Sequence, residues 1–531
     1  MIYLIPNWKQ SDNHLENDRM LNIARLFSRN NEKYELLLLN YLPFLRYKAQ
    51  EYTIFSDCYW RAYDDMQNIH LVNGHPLSIE DLNLPRTIEK VYTPFGTVLL
   101  NENKTYGEIF YNKYGCIEKV KTFDNGWTIF DYYDDRGFLS SKEYIDFAGN
   151  MSKREYFNEF GETTVIENFS GTPQIIIGEA GNDLLKEKNY QTINEVISDI
   201  LIHKAATLEE QKEILTVTEN NLLEITKGIQ DTEDMIRIIS DNDHLRSFQQ
   251  DRLFEGIKTS KYLVTDTSMK EQELMKIKQA NSSLADTSIA RIPMFNTELN
   301  LGMSNSVVQM IMYWRVGELD ESVYKANEVF VNNLIAHSRH SLIYEVETVL
   351  EMSKLQDRQK ALIDDYFNVD SDSEDFKKAE HFIEAKRMKR LYKTDELAVE
   401  EIRKKDSWKA LVKAINVYHR IEFRINPTLL SVQNDFQKVR LYIDVSKEYN
   451  LQMQSLAISA GIPQVVKRST DYIEDKKNGI IIQRTSELDD AINYFLKNLN
   501  NWNNSLVENV RLIEEYSPHN IMEKWRDVFN G

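Results

Sequence analysis

His337 and His340 stand at i, i+3 on a stretch that reads as helix, so they share a face and could offer two imidazoles to a metal. No third ligand stands at metal-site spacing, and no metal site is expected. Asp12 and His14 follow the first apolar strand, at the carboxyl edge where open α/β sheets bind ligands. A plain polar loop is the expected reading there. The acidic run Asp370-Ser-Asp-Ser-Glu-Asp375 lacks the glycine and the bidentate glutamate that a calcium loop needs at set positions. It reads as a solvated loop or helix start. No Gly-x-Ser-x-Gly elbow and no Gly-x4-Gly-Lys-Ser/Thr loop occurs, so neither a hydrolase nucleophile nor an ATP motor is expected.

Composition narrows the classes further. The chain has 531 residues, enough for about three domains. Its 64 basic and 83 acidic side chains leave a formal charge of −19. Such a chain repels a phosphate backbone, so no nucleic-acid partner is expected, and an anionic membrane surface is disfavoured as a direct dock. Two cysteines, Cys58 and Cys116, are too few for a disulfide framework. The start, Met1-Ile-Tyr-Leu-Ile-Pro6, lacks the basic flank and long apolar core of a signal peptide. No stretch reaches the ~18 apolar residues of a membrane span. A soluble cytoplasmic protein is expected, without a transmembrane segment.

The elements that would position any chemistry alternate in texture. Ile2 to Ile5 and Glu35 to Leu42 are continuous apolar strands separated by a helical pattern from Asn17 to Arg29, which argues a parallel sheet covered on both faces. Glycines then fall at 115, 126, 137, 149 and 161, at intervals of 11, 11, 12 and 12. Aromatic and β-branched residues fill the gaps, the pattern of an antiparallel meander with glycine at the turns. Such a sheet is a candidate platform for an extended peptide, at its edge or on an aromatic face. Ile193 to Ile257 reads as mainly helical, Lys261 to Asp266 as a strand, and Val307 to Val316 as the strand that opens a second α/β unit.

The residues from Val439 onward carry the sharpest pattern. Val439 to Val445 reads as a strand, followed by Glu448 and a helix through Leu456. Ala460-Gly-Ile-Pro463 ends that helix, with Gly461 and Pro463 as the stop signals. Gln464-Val-Val466, Asn478-Gly-Ile-Ile-Ile482 and an amphipathic helix from Thr485 to Leu499 follow. Ser517 and Pro518 open a final helix.

This order resembles the donor-binding half of GT-B glycosyltransferases. There, two glutamates separated by a seven-residue gap precede Ala-Gly-x-Pro and hold the donor's sugar and ribose hydroxyls. Aligned on that motif, Glu448 occupies the first glutamate position and Leu456 the second. Leucine accepts no hydrogen bond, and no glycine lies between the two positions. The basic pair that neutralises the diphosphate has only Arg424, Lys438 and Arg440 as candidates. The resemblance therefore implies a degenerate donor or glycan cleft around Glu448, Leu456, Gly461, Pro463 and Arg424, with no catalytic residue and no cofactor.

Over nearly its whole length the chain is identified as a member of the family of first accessory secretory proteins of the accessory Sec system of streptococci and staphylococci. The opening Met-Ile-Tyr-Leu-Ile-Pro-Asn-Trp8, the glycine-punctuated insert and Met312-Tyr-Trp-Arg-Val-Gly317 carry that likeness beside the degenerate motif. It implies an α/β fold of two Rossmann-like, GT-B-like lobes with an inserted antiparallel β-meander. The expected divisions are 1–94 with 172–300 for the first lobe, 95–171 for the insert and 301–516 for the second lobe, with the helix 517–530 returning to the first. It also implies a non-catalytic role in exporting glycosylated serine-rich repeat adhesins. The implied partners are two further accessory secretory proteins, one acyltransferase-like, and the accessory SecA motor. The alternative is an active or partner-activated nucleotide-sugar glycosyltransferase acting on Ser/Thr-linked glycans.

Overall fold

A computed structural model describes residues 1–12, 15–170, 174–229, 235–239, 257 and 260–531; His14 lies outside them. The chain divides into two units, Met1–Ile292 with Trp525–Gly531, and Pro293–Lys524.

The first unit is built on a seven-stranded sheet. Ile2–Ile5 pairs in parallel with Glu213–Val217 on one side and Tyr34–Leu38 on the other. Beyond them lie Met235–Ile239, Tyr262–Thr265 and Ser288–Arg291 at one end and Tyr59–Arg61 at the other. Ile2–Ile5 is buried along its whole length, as a parallel strand covered on both faces must be. The helix Arg19–Arg29 covers it with Met20, Leu21, Ile23, Ala24, Leu26 and Phe27, and Asp18 caps that helix by accepting from the Leu21 amide. The chain's last residues complete this core. Trp525 is fully buried and meets Phe27 edge-on at 6.0 Å, and Arg526 pairs with Glu32 at 3.0 Å.

The helical reading of 193 to 257 needs correction. Helices Ile193–Ala205 and Asn220–Thr226 alternate with the buried strands Glu213–Val217 and Met235–Ile239. Both strands are short continuous apolar runs, which periodicity alone cannot tell from buried helix. Residues 230–234 and 240–256 of that span lie outside the described ones.

Also in the first unit, ten antiparallel strands run in simple chain order. They extend from Ile88 to Tyr190, wider at both ends than 95–171. All five spaced glycines sit at turns with φ between 75° and 95°. At Gly137 space matters as well, because a Cβ would come 2.5 Å from the His75 carbonyl oxygen. The 11-residue spacing has a side-chain counterpart. Tyr132, Tyr144 and Tyr156 each donate to the glutamate eleven residues on, Glu143, Glu155 and Glu167, at 3.1, 2.9 and 3.2 Å. Each contact joins neighbouring strands.

One turn of the meander is locked by charge. Asp134, Asp135 and Arg136 are buried. Arg46 donates to Asp135 at 2.6 Å, Arg61 to Asp134 at 3.2 Å, and Arg136 to Asp134 and Asp64 at 2.7 and 2.9 Å. Burial by itself raises the Asp134 carboxyl, but Arg61 and Arg136 outweigh it and hold that group below its usual range. Gln67 spans two strands, donating to the Ser140 and Phe157 carbonyls at 2.9 and 2.7 Å.

The second unit carries a six-stranded sheet in which every neighbouring pair is parallel. Its order is Ile421–Ile425, His340–Val346, Met310–Arg315, Val439–Asp444, Gln464–Val466 and Gly479–Ile481. Side chains alternate between two cores. Met312, Trp314, Leu342, Tyr344, Leu441 and Ile443 enter one with the helices Glu321–Ala336, Val349–Phe367 and Trp408–Tyr418, and Tyr313, Ile343 and Tyr442 enter the other. Four helices lie in the chain between His340–Val346 and Ile421–Ile425, in place of one crossover helix. Among the described residues, no helix is long and apolar enough to cross a membrane.

Candidate functional site

The second unit's sheet brings four groups together at the carboxyl ends of two adjacent strands. Met310–Arg315 ends in Arg315, and Val439–Asp444 ends in Asp444. The Arg315 guanidinium donates to Asp444 at 3.3 Å, to Ser446 Oγ at 3.2 Å and to the Glu448 carbonyl at 3.1 Å. Ser446 returns its amide to Asp444 at 3.2 Å. Arg315 thus fixes the loop that carries Glu448. Gly317 lets that loop close, because a Cβ there would meet the Ser446 Cβ at 2.5 Å.

Glu448 lines a cavity of about 270 Å³. Its walls hold the carboxylates of Glu318, Asp320, Glu347, Glu351 and Glu448 against the cations Arg315, Lys447 and Lys467. Arg315 is committed to Asp444, and Lys447 to Asp320 at 3.1 Å. Glu351 accepts the amides of Glu347 and Thr348 at 2.8 and 3.2 Å as a helix cap. Acids outnumber bases on these walls, and the field opposes a diphosphate.

The other residues picked out by sequence lie elsewhere in the sheet. Leu456 belongs to the helix Leu451–Ser459 and packs against the core of Tyr313, Ile343, Phe436 and Tyr442; it does not line the Glu448 cavity. Gly461 follows the helix end with φ 72°, donating to the Ile458 carbonyl at 2.9 Å while Ile462 reaches the Ala457 carbonyl at 2.8 Å. That is a Schellman stop. Pro463 accepts from the Tyr442 amide at 3.1 Å and leads into the start of Gln464–Val466. Gly461 and Pro463 therefore precede a parallel strand whereas Glu448 follows one, at opposite edges of the sheet. Arg424 lies on the edge strand Ile421–Ile425, with two strands between it and Val439–Asp444. It forms a bidentate pair with Asp435, at 2.8 and 3.1 Å, and another with Glu422 at 3.0 Å. Arg440 stacks on Trp502 at 4.1 Å.

His337 and His340 do not share a helical face. His337 caps the helix Glu321–Ala336, and His340 opens the strand His340–Val346. The rings lie 4.6 Å apart, and His340 bonds Asn333 at 2.6 Å. Burial pushes the His340 imidazole down to about 4, with His337 and Arg420 adding to the shift. Among the described residues, no three His, Cys, Asp or Glu side chains are grouped to hold a metal ion. Asp12 closes a local turn by accepting from the Lys9 amide at 2.7 Å. Sequence reasoning missed Arg315, Asp444 and Ser446; the signal available was an arginine at a strand end directly before Val316-Gly317.

The family model for accessory secretory protein 1 of the accessory Sec system matches residues 3–530. The chain belongs to this family. The accessory Sec system protein of the same name from Staphylococcus aureus (strain NCTC 8325 / PS 47) is 24% identical over 550 aligned residues, covering 100% of this chain and 99% of that one. Among solved structures, the complex of accessory secretory proteins 1, 2 and 3 in Streptococcus pneumoniae contains a chain similar at TM-score 0.75 and 20% identity, covering 100% of this chain and 99% of that one. The pneumococcal O-GlcNAc transferase GtfA, solved in complex with UDP and GlcNAc, is similar at TM-score 0.69 and 11% identity, covering 100% and 98%. This member of the accessory secretory protein 1 family thus has a GT-B-like α/β fold with an added antiparallel sheet.

Proposed function

We propose that this accessory secretory protein is a non-catalytic, cytoplasmic component of the accessory Sec system. It assembles with two further accessory secretory proteins, one of them acyltransferase-like, and works with the accessory SecA motor in the export of a glycosylated serine-rich repeat adhesin. The observation that carries the reading is Leu456, a half-buried apolar side chain packed against the second unit's core at the position that aligns with a donor-binding glutamate. The acid-rich walls around Glu448 support it, because a nucleoside diphosphate would enter a field of its own sign. Transition-state stabilisation requires preorganised groups of the opposite character.

Purification of the tagged chain from its native cell tests this. The two accessory proteins, the motor and the glycosylated client should co-purify, and Glu448→Ala should leave export unchanged. Recovery of a glycosyltransferase as the main partner, or an export defect in a stably folded Glu448→Ala variant, contradicts the proposal. The fold likeness to GtfA favours a second reading, an active or partner-activated glycosyltransferase. A millimolar nucleotide sugar would then raise the melting temperature by ligand linkage.

A further inference from the structure

A second cavity, of about 710 Å³, lies at the opposite edge of the second unit's sheet, where Met310–Arg315, His340–Val346 and Ile421–Ile425 begin. It shares no lining residue with the Glu448 cavity. Its apolar lining comes from Ile311, Leu342, Ile343 and Ile383. Its charges are lopsided. Arg420 spends four N–H groups on neutral backbone carbonyls only: Leu334, His337 and His340 at 2.7 Å and Asn416 at 2.9 Å. A guanidinium has five such donors, so one remains, and among the described residues no carboxylate pairs with it. Lys386 and Arg387, exposed on the last turn of the helix Glu374–Arg387, line the same cavity and form no ion pair among the described residues. The buried Ser341 Oγ has no hydrogen-bond partner among the described residues. The carboxylate in the lining, Glu422, is held by Arg424 at 3.0 Å, and Glu380 stands 4.0 Å from His419.

In a chain of net charge −19, three cations with no acidic partner among the described residues, set around an apolar recess, form a site of the opposite sign. We propose that this cavity binds an organic oxyanion, a phosphate, carboxylate or sulfonate group carried on an apolar body. The anion meets Arg420, Lys386 and Arg387 through charge-assisted hydrogen bonds, Ser341 supplies a hydroxyl, and the apolar body covers the isoleucines and Leu342.

The test titrates the full chain with 8-anilinonaphthalene-1-sulfonate, read by fluorescence and calorimetry. One saturable site is expected. The Lys386→Glu/Arg387→Glu double variant, which changes exposed side chains only, should weaken binding by about 10-fold or more, the factor one charge-assisted contact is worth. The neutral probe N-phenyl-1-naphthylamine should bind at least as much more weakly. Ser341→Phe, which fills the recess, should abolish binding; if that variant fails to fold, the charge reversal still decides. Unchanged affinity in the folded double variant, or equally tight binding of the neutral probe, overturns the proposal.

Discussion

Arg315 and Asp444 end adjacent parallel strands and meet at 3.3 Å, with Asp444 almost wholly buried. Removing the cation leaves a buried carboxylate without its charge partner. Breaking such a pair costs about 3 kcal/mol. Arg315→Met should therefore lower stability by about that amount in chemical denaturation, and should raise hydrogen exchange in residues 445–448. Native exchange in that loop would show that Arg315 does not hold it.

Leu456→Glu tests whether one carboxylate restores a donor site. The side chain faces the core of Tyr313, Phe436 and Tyr442 rather than the Glu448 cavity. The expected outcome is a loss of about 2 kcal/mol from burying charge. UDP-GlcNAc at millimolar concentration should give no melting-point shift; a shift in this variant would refute the account of the cavity.

Two glycines of the meander should differ on substitution. Gly126 has φ 87° and open space around its Cα, so Gly126→Ala costs about 1 kcal/mol of backbone strain. Gly137 has φ 95° and the His75 carbonyl in the path of a Cβ. Gly137→Ala should cost about 2 kcal/mol more. Equal denaturation midpoints for the two variants would contradict this.

Stability should fall with acid in two windows. The His340 imidazole is pushed down to about 4 in the folded chain, so it stays neutral while the unfolded chain takes up a proton near pH 6.5. The unfolded state then binds more protons, and stability drops as pH falls from about 6.5 to 4. His340→Asn should flatten that slope. Asp134 and Asp266 are held below the usual carboxylate range despite burial, the first by Arg61 and Arg136, the second by Arg19 and Lys270. Their contribution is intact above the unfolded value of about 3.9 and is lost as pH falls below it. Denaturant midpoints measured from pH 7 to 3 should show the second window shrink in Asp266→Asn.

Elements whose signals are local were legible in sequence. A positive φ at a hairpin turn calls for glycine, which made the meander visible from Gly115 to Gly161. The stop at Gly461-Ile-Pro463 was equally local, since glycine and proline act on their own backbone. The strands Glu213–Val217 and Met235–Ile239 were not legible, because a short apolar run fits a buried strand and a buried helix alike. The site was read as one cluster, yet the sheet separates Arg424 and Gly461 from Glu448. Linear order does not reveal which edge of a parallel sheet a loop reaches. Arg315 was missed for the same reason, since its partner Asp444 is 129 residues away.

The burial of Trp525 against Phe27 bears on how the protein is made. The indole that fills the first unit's interior is made only after the whole of the second unit has been synthesised. That unit stays incomplete until Trp525 is made, although most of its length is synthesised early. The second unit needs no such wait for its own sheet. Synthesis of Trp525 is therefore the event that lets the amino-terminal half reach its native packing, and a premature stop shortly before it would impair the region made first.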